Sequence, residues 1–107
     1  MEYINKVEIA GIIGNIKTMK VYNTTAIILT VATNEVFKRE NDVVVETTWH
    51  NVSYFSKPTD NLNMDKLIKG QGVHVKGRLK NHRFTDAQGI EHTSFDIVAN
   101  NLELINA

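Results

Sequence analysis

From Thr47 to Lys57 the sequence reads TTWHNVSYFSK, a run whose two largest rings are spaced by side chains that prefer water. Alternate positions of an extended strand point to opposite faces, so Thr47, Trp49, Asn51, Ser53 and Phe55 share one side, while Thr48, His50, Val52 and Tyr54 share the other. An ordinary half-buried strand hides large rings among aliphatic neighbours. Here Trp49 and Phe55 stand six residues apart with Asn and Ser between them. Either both rings are core and their polar neighbours lie at an edge, or something planar covers them.

A second period-two run, Gly72–Lys80, reads GVHVKGRLK. Val73, Val75, Gly77 and Leu79 form an apolar inner face, and His74, Lys76, Arg78 and Lys80 a cationic outer one. Taken alone, such lysines are solvated decoration that discourages edge pairing. Combined with wet aromatic rings they form what single-stranded nucleic acid needs, because unpaired bases stack on rings while phosphates pair with cations.

Twelve basic and twelve acidic residues cancel, so net charge gives no argument for nucleic acid and the distribution has to. Lys76, Arg78, Lys80 and Arg83 fall within an eight-residue interval that contains no acid. With 107 residues and 42% hydrophobic content, residues 1–107 are sized for a single domain with a real core. The absence of cysteine excludes disulfides, thiolate zinc sites and cysteine nucleophiles. His50, His74, His82 and His92 lack the paired spacing of a helical zinc motif, so neither metal nor cofactor is expected. No apolar run reaches signal-peptide or membrane-span length, and the expectation is a soluble, cytoplasmic protein.

Residues 4–14 predict a strand with Val7, Ile9, Gly11 and Ile13 on one face, bent or closely approached at Gly11 and Gly14. Asn15 to Asn23, polar and carrying Lys17 and Lys20, reads as a hairpin loop. Thr24 to Val36 is β-branched and apolar on both faces near Ala26 to Val31, which predicts a strand covered on both sides. The next segment, FKRENDVVVE, opens with Phe37 beside Lys38 and Arg39; that ring is either packed on the body or offered to a base. Pro58 halts pairing, Thr59 or Asp60 can cap a helix, and Leu62, Met64, Leu67 and Ile68 fit one short amphipathic helix closed by Gly70, plugging a barrel end. Asn81 to Thr93, with a turn signal at Asp86–Gly89, predicts a long hairpin standing off the body and exposing Phe84. Ser94 to Leu104 supplies the last strand, with Phe95, Ile97 and Ala99 inward.

Strand, strand, strand, helix, strand, strand is the order of the OB-fold, an all-β, five-stranded Greek-key barrel with extended hairpin loops. The segments NKVEIAGIIG (5–14), LTVATNEVFKRE (29–40), TTWHNVSYFSK (47–57) and KGQGVHVKGRLKNHRFTDAQGIEHTSFDIVANNLEL (69–104) resemble the bacterial-type single-stranded DNA-binding proteins over nearly the whole chain. The resemblance implies sequence-nonspecific binding and protection of single-stranded DNA in replication, recombination and repair, with bases stacked on Phe37, Trp49, Phe55 and Phe84. Phosphates would run along Lys76, Arg78, Lys80 and Arg83, with Lys38, Arg39 and Lys57. The family commonly has Trp where this chain has Phe37 and Phe84, which reduces the stacking surface but keeps it flat.

Family members are usually homotetramers built from dimers that pair through the first strand, which implies subunit contacts at Lys6, Glu8, Ala10 and Ile12. His50, on the face away from Trp49, is either a support of such a contact or a satisfied core histidine. Typical members continue through a Gly-, Gln- and Pro-rich linker to an acidic tip that recruits replication and repair enzymes. This sequence ends at Ala107, either because the protein lacks such a tail or because the sequence is a truncated piece; recruitment of that kind is thereby put in doubt, and DNA binding is not. The alternative is a primosomal-type OB-fold adaptor that chiefly binds replication proteins and holds DNA weakly. An OB-barrel nuclease would need clustered carboxylates for a divalent ion, and Glu35, Glu40, Asp42 and Glu46 show no such spacing.

Overall fold

Five long strands, each obeying the two-residue alternation, close on one another in the computed structural model, which describes residues 1–57 and 62–106. They are β1 (Val7–Val21), β2 (Thr24–Arg39), β3 (Asp42–Ser56), β4 (Gly72–Thr85) and β5 (Glu91–Ile105). Around the barrel the order is β1-β2-β3-β5-β4, with β1 returning to β4. Every pairing is antiparallel except β3 with β5, a short parallel closure at Val52↔Ile97 and Ser53↔Val98. This is the five-stranded closed barrel expected of an OB-fold.

The inward face is aliphatic. Ile13, Ile27, Leu29, Val31, Val52, Val73 and Val75 are fully buried and pack with Leu67, Ile97, Ala99 and Leu102. Each of the Ile, Leu and Val side chains contributes about 1.5–3 kcal/mol by leaving water. Two irregularities keep the alternation in step with the curvature. In β1, Ile13 faces Val31 and Ile16 faces Leu29, so Gly14 and Asn15 share Thr30, whose hydroxyl accepts the Asn15 N–H at 2.9 Å. On β5 the partners of Lys76 and Gly77 are Asn101 and Ala99, so Asn100 is the extra residue. That bulge lets Ile97 and Ala99 face the core together with Leu102, although the sequence parity between them differs.

Several expectations need correction. Asn15 to Asn23 is not a loop: β1 runs to Val21, pairs with Thr24, and turns through Tyr22 and Asn23 alone, with Tyr22 at φ 57°. Its alternation carries no apolar inner face beyond the barrel wall, so nothing in its composition marks a strand. Residues 37–46 likewise form a paired arm, with Arg39 opposite Asp42 and Glu40 at φ 49° in the turn. β2 is fully covered on one face only: Ile27, Leu29 and Val31 are buried, while on the other face Ala26 is buried but Ile28 is 44% exposed.

The expected helix is a single 3₁₀ turn, Met64–Lys66, whose N-cap is Asn63; the caps expected at Thr59 or Asp60, like Pro58, lie outside the described residues. Leu67 after that turn is buried against the core, and the Gly70 N–H donates to the Ile13 carbonyl at 2.9 Å, so the segment does close onto β1. Phe95 is 58% exposed rather than inward. It lies on the inner-face parity two residues before the β3–β5 closure at Ile97, where the β4–β5 ribbon has already left the barrel wall.

Candidate nucleic-acid interface

On β3 the outward row is Trp49, Asn51, Ser53 and Phe55, and their partners on β2 are Ala32, Thr30, Ile28 and Ala26 in turn. Trp49 is 60% exposed and Phe55 55%. The two rings thus stand at opposite ends of a low floor of small and aliphatic side chains, extended on β1 by Lys17 opposite Ile28 and Met19 opposite Ala26. At the Trp49 end the Thr47 hydroxyl donates to Asn34 Oδ1 at 2.7 Å, which gives the panel a polar border.

The glycines of β1 position this panel. A Cβ at Gly14 would run into the six-membered ring of Trp49, so the missing side chain is what lets the indole lie down across β1. A Cβ at Gly11 would run into the Ala32 carbonyl, where β1 crosses close to β2 as the barrel curls. The close approach expected at both glycines is present, and at Gly14 it serves the ring.

A second row runs along the outside of β4. Lys76, Arg78, Lys80, His82 and Phe84 share one side of the strand and span roughly 27 Å from barrel to arm tip at strand rise. Phe84 is 46% exposed and lies between two imidazoles, those of His82 and His92. Near the barrel the row is not purely cationic, because Glu8 on β1 sits opposite Lys76 and its carboxylate pairs with His74 Nε2 at 2.6 Å. Arg83 has the other parity, with Nη1 3.6 Å from Glu91 Oε1, so it leaves the row and joins an exposed ion pair.

At the arm tip Asp86 organises the turn. Its Oδ1 accepts the N–H groups of Gln88 and Ile90, both at 2.9 Å, and its Oδ2 lies 2.7 Å from His92 Nε2. The His92 contact first, then the backbone N–H of Ile90 and of Gln88, hold its carboxyl below its ordinary pKa against a small opposing effect of burial. Gly89, at φ 80°, supplies the left-handed residue the turn needs.

On the β2–β3 arm, Phe37 faces Val44 and shares its side with Arg39, while Lys38, Val36, Val43 and Val45 share the side of Trp49. Phe37 is exposed but belongs to the reverse of the ribbon. Lys57 directly follows β3, beyond Phe55. The structure therefore brings Trp49 and Phe55 together, and separately Lys76, Arg78, Lys80 and Phe84; it sets Phe37, Arg39 and Arg83 on other faces. Ile28, Met19 and Lys17 were missed as neighbours of the rings. The second face of β2 was their signal, and at Ile28 it is open to solvent rather than buried.

Of the residues tied to subunit contact, Lys6 precedes β1, while Ala10 and exposed Ile12 lie on its outer face beside Glu8. His50 is half-buried on the side away from Trp49, and its Nε2 is 2.9 Å from the Thr33 hydroxyl oxygen. Among the described residues no group of His, Cys, Asp or Glu could hold a metal ion. Glu35 and Glu46 merely face each other across the arm, while Glu40 and Asp42 lie at its tip. No helix of the described residues is long and apolar enough to cross a membrane.

A barrel of this topology with open rings on its outer wall defines an OB-type binding fold. Residues 4–105 match the Single-strand binding protein family, and the chain belongs to that family. It is 35% identical over 106 residues to a single-stranded DNA-binding protein of Xanthomonas campestris pv. campestris, an alignment covering 95% of this chain and 60% of that one. A single-stranded DNA-binding protein of Neisseria meningitidis is 36% identical over 76 residues, 70% of this chain and 43% of the relative. This chain thus spans about 60% or less of the length of these curated relatives. Among solved structures, a Plasmodium falciparum SSB in complex with ssDNA superposes with a TM-score of 0.81 at 21% identity, covering 99% of this chain and 98% of that one. That likeness establishes the fold.

Proposed function

We propose that this chain binds single-stranded DNA without sequence preference, stacking bases on Trp49, Phe55 and Phe84 and pairing phosphates with Lys76, Arg78 and Lys80. The observation that carries the reading is the pair of half-open rings standing at either end of a low floor that includes Asn51, Ser53, Thr30 and Ile28 on the barrel's outer wall. Rings left open in this way can take the flat faces of bases, and every base has such a face, so the binding is sequence-tolerant. Family membership and the relatives' names support the same ligand. No bond is made or broken. Phe37, Lys38, Arg39, Lys57 and Arg83 would engage a strand that wraps past the barrel onto the arms and around their reverse sides.

The reading includes self-association, in a dimer or tetramer, through the outer face of β1, where Ala10 and Ile12 offer apolar surface, with His50, on the opposite side of the sheet, supporting a separate subunit contact. It also includes a role in protecting DNA during replication, recombination and repair, in the cytoplasm at the nucleoid. The test is fluorescence anisotropy with labelled oligo-dT and a duplex of equal length. Tight binding to the single strand, weakened by salt and far weaker for the duplex, is expected. Equal affinity for both strands, or weak binding that salt does not alter, would sink the reading, and the second result would favour the adaptor.

A further inference from the structure

Phe84 does not stand alone on its arm. His82, two residues before it on β4, and His92, directly across on β5, project from the same side of the ribbon. The Phe84 ring centroid is 5.9 Å from that of His82 and 5.2 Å from that of His92, with the planes only 27° and 21° apart. Nearly parallel rings at such distances are offset rather than eclipsed, so each leaves part of its face uncovered. Both imidazoles are exposed. On one flank Lys80 belongs to the same row, and on the other Asp86 fixes the His92 ring through its Oδ2.

We propose that His82 and His92 bind bases in their own right: with Phe84 they form a three-ring stacking platform on the β4–β5 arm, which takes the unpaired bases of single-stranded DNA. The proposal rests on the function given above and adds two residues to it. An imidazole is a flat π-surface like the phenyl ring, and in an offset stack of three each ring keeps uncovered face for a base. Lys80 meets the phosphate of a nucleotide stacked beside it, and Asp86 is a positioning residue that acts through His92.

The test compares His82→Ala, His92→Ala, His82→Phe and His92→Phe with the native chain and with Trp49→Ala, each checked by thermal unfolding. Two ligands are used, oligo-dT and a base-free sugar–phosphate strand of the same length. Each alanine variant is expected to bind oligo-dT roughly fivefold or more weakly and the base-free strand as the native chain does, while the phenylalanine variants keep native affinity. Addition of oligo-dT should move the imidazole C–H proton resonances of His82 and His92 upfield in the native chain, a ring-current effect that a purely structural role would not produce. A loss carried over in full to the base-free strand would mean that the imidazoles serve phosphates, and would overturn the proposal. So would unmoved imidazole resonances, or native affinity in the alanine variants while Trp49→Ala binds weakly. Failure of the native chain itself to bind oligo-dT would instead remove the underlying function.

Discussion

Trp49 can lie across β1 only because position 14 has no side chain, and it stays open to solvent because β2 places Ala32 rather than a bulky residue opposite it. An indole held in this way is open to a planar ligand without first leaving a core. Trp49→Ala should therefore lower affinity for oligo-dT by about 1–3 kcal/mol while leaving the unfolding midpoint nearly unchanged; titration of both proteins checks it, and native affinity would remove Trp49 from the site. Asp86 acts at the same scale by different physics. Its pKa is depressed in the folded arm, so the stability it gives the turn is fully present above the unfolded carboxylate value of about 3.9 and is lost as pH falls through the lower folded value. Hydrogen exchange at the Gln88 and Ile90 amides should lose protection across that acid window, more than the charge change elsewhere explains. Protection that persists to the lowest pH would mean the carboxylate does not hold the turn.

At the level of strands, adjacent residues of β2 do unrelated work. Leu29 is in the core and Ile28 on the floor between the rings, so Leu29→Ala should cost about 2–5 kcal/mol of stability, whereas Ile28→Ala should cost little stability and weaken DNA binding. Chemical denaturation beside a binding titration separates the two. The outer row of β4 makes a different prediction: replacing Lys76 and Arg78 together by alanine should flatten the dependence of log K on log salt by about 1.4, at about 0.7 per phosphate contact on a single strand. An unchanged slope would send the phosphates elsewhere. Strands whose alternation included buried aliphatics, such as Val73 and Val75 or Val52, were legible from the sequence because one face had to be core. The far half of β1 and the tips of the arms were not, since ribbons wet on both faces carry no apolar period, and the pairing that makes them strands is non-local. The side taken by Arg83 and Phe37 could be read by counting parity, but only once the arms were known to be continuous strands. Phe95 misled for the opposite reason: its parity is inward, but the barrel has ended before it.

The molecule as a whole is less compact than its length requires, with a radius of gyration of 16.2 Å against roughly 13 Å for a globular chain of this size. The excess comes from the β2–β3 and β4–β5 ribbons, which reach beyond the barrel and carry Phe37, Phe84 and their cations away from the core. A barrel of fixed shape with ring-bearing arms suits a flexible strand that bends around it better than it suits a rigid duplex, whose bases are stacked and turned inward. Net charge is zero, so attraction to DNA depends on where the cations sit, and it should fall away quickly as salt rises. Because the chain has a single tryptophan and that residue is the centre of the proposed site, its own emission reports the claim without any label. Titration with oligo-dT at low salt should quench Trp49 fluorescence in a saturable way, high salt should restore it, and an equal amount of duplex should leave it almost unchanged. Emission indifferent to single strands under conditions where they bind, or quenched equally by duplex, would contradict the account.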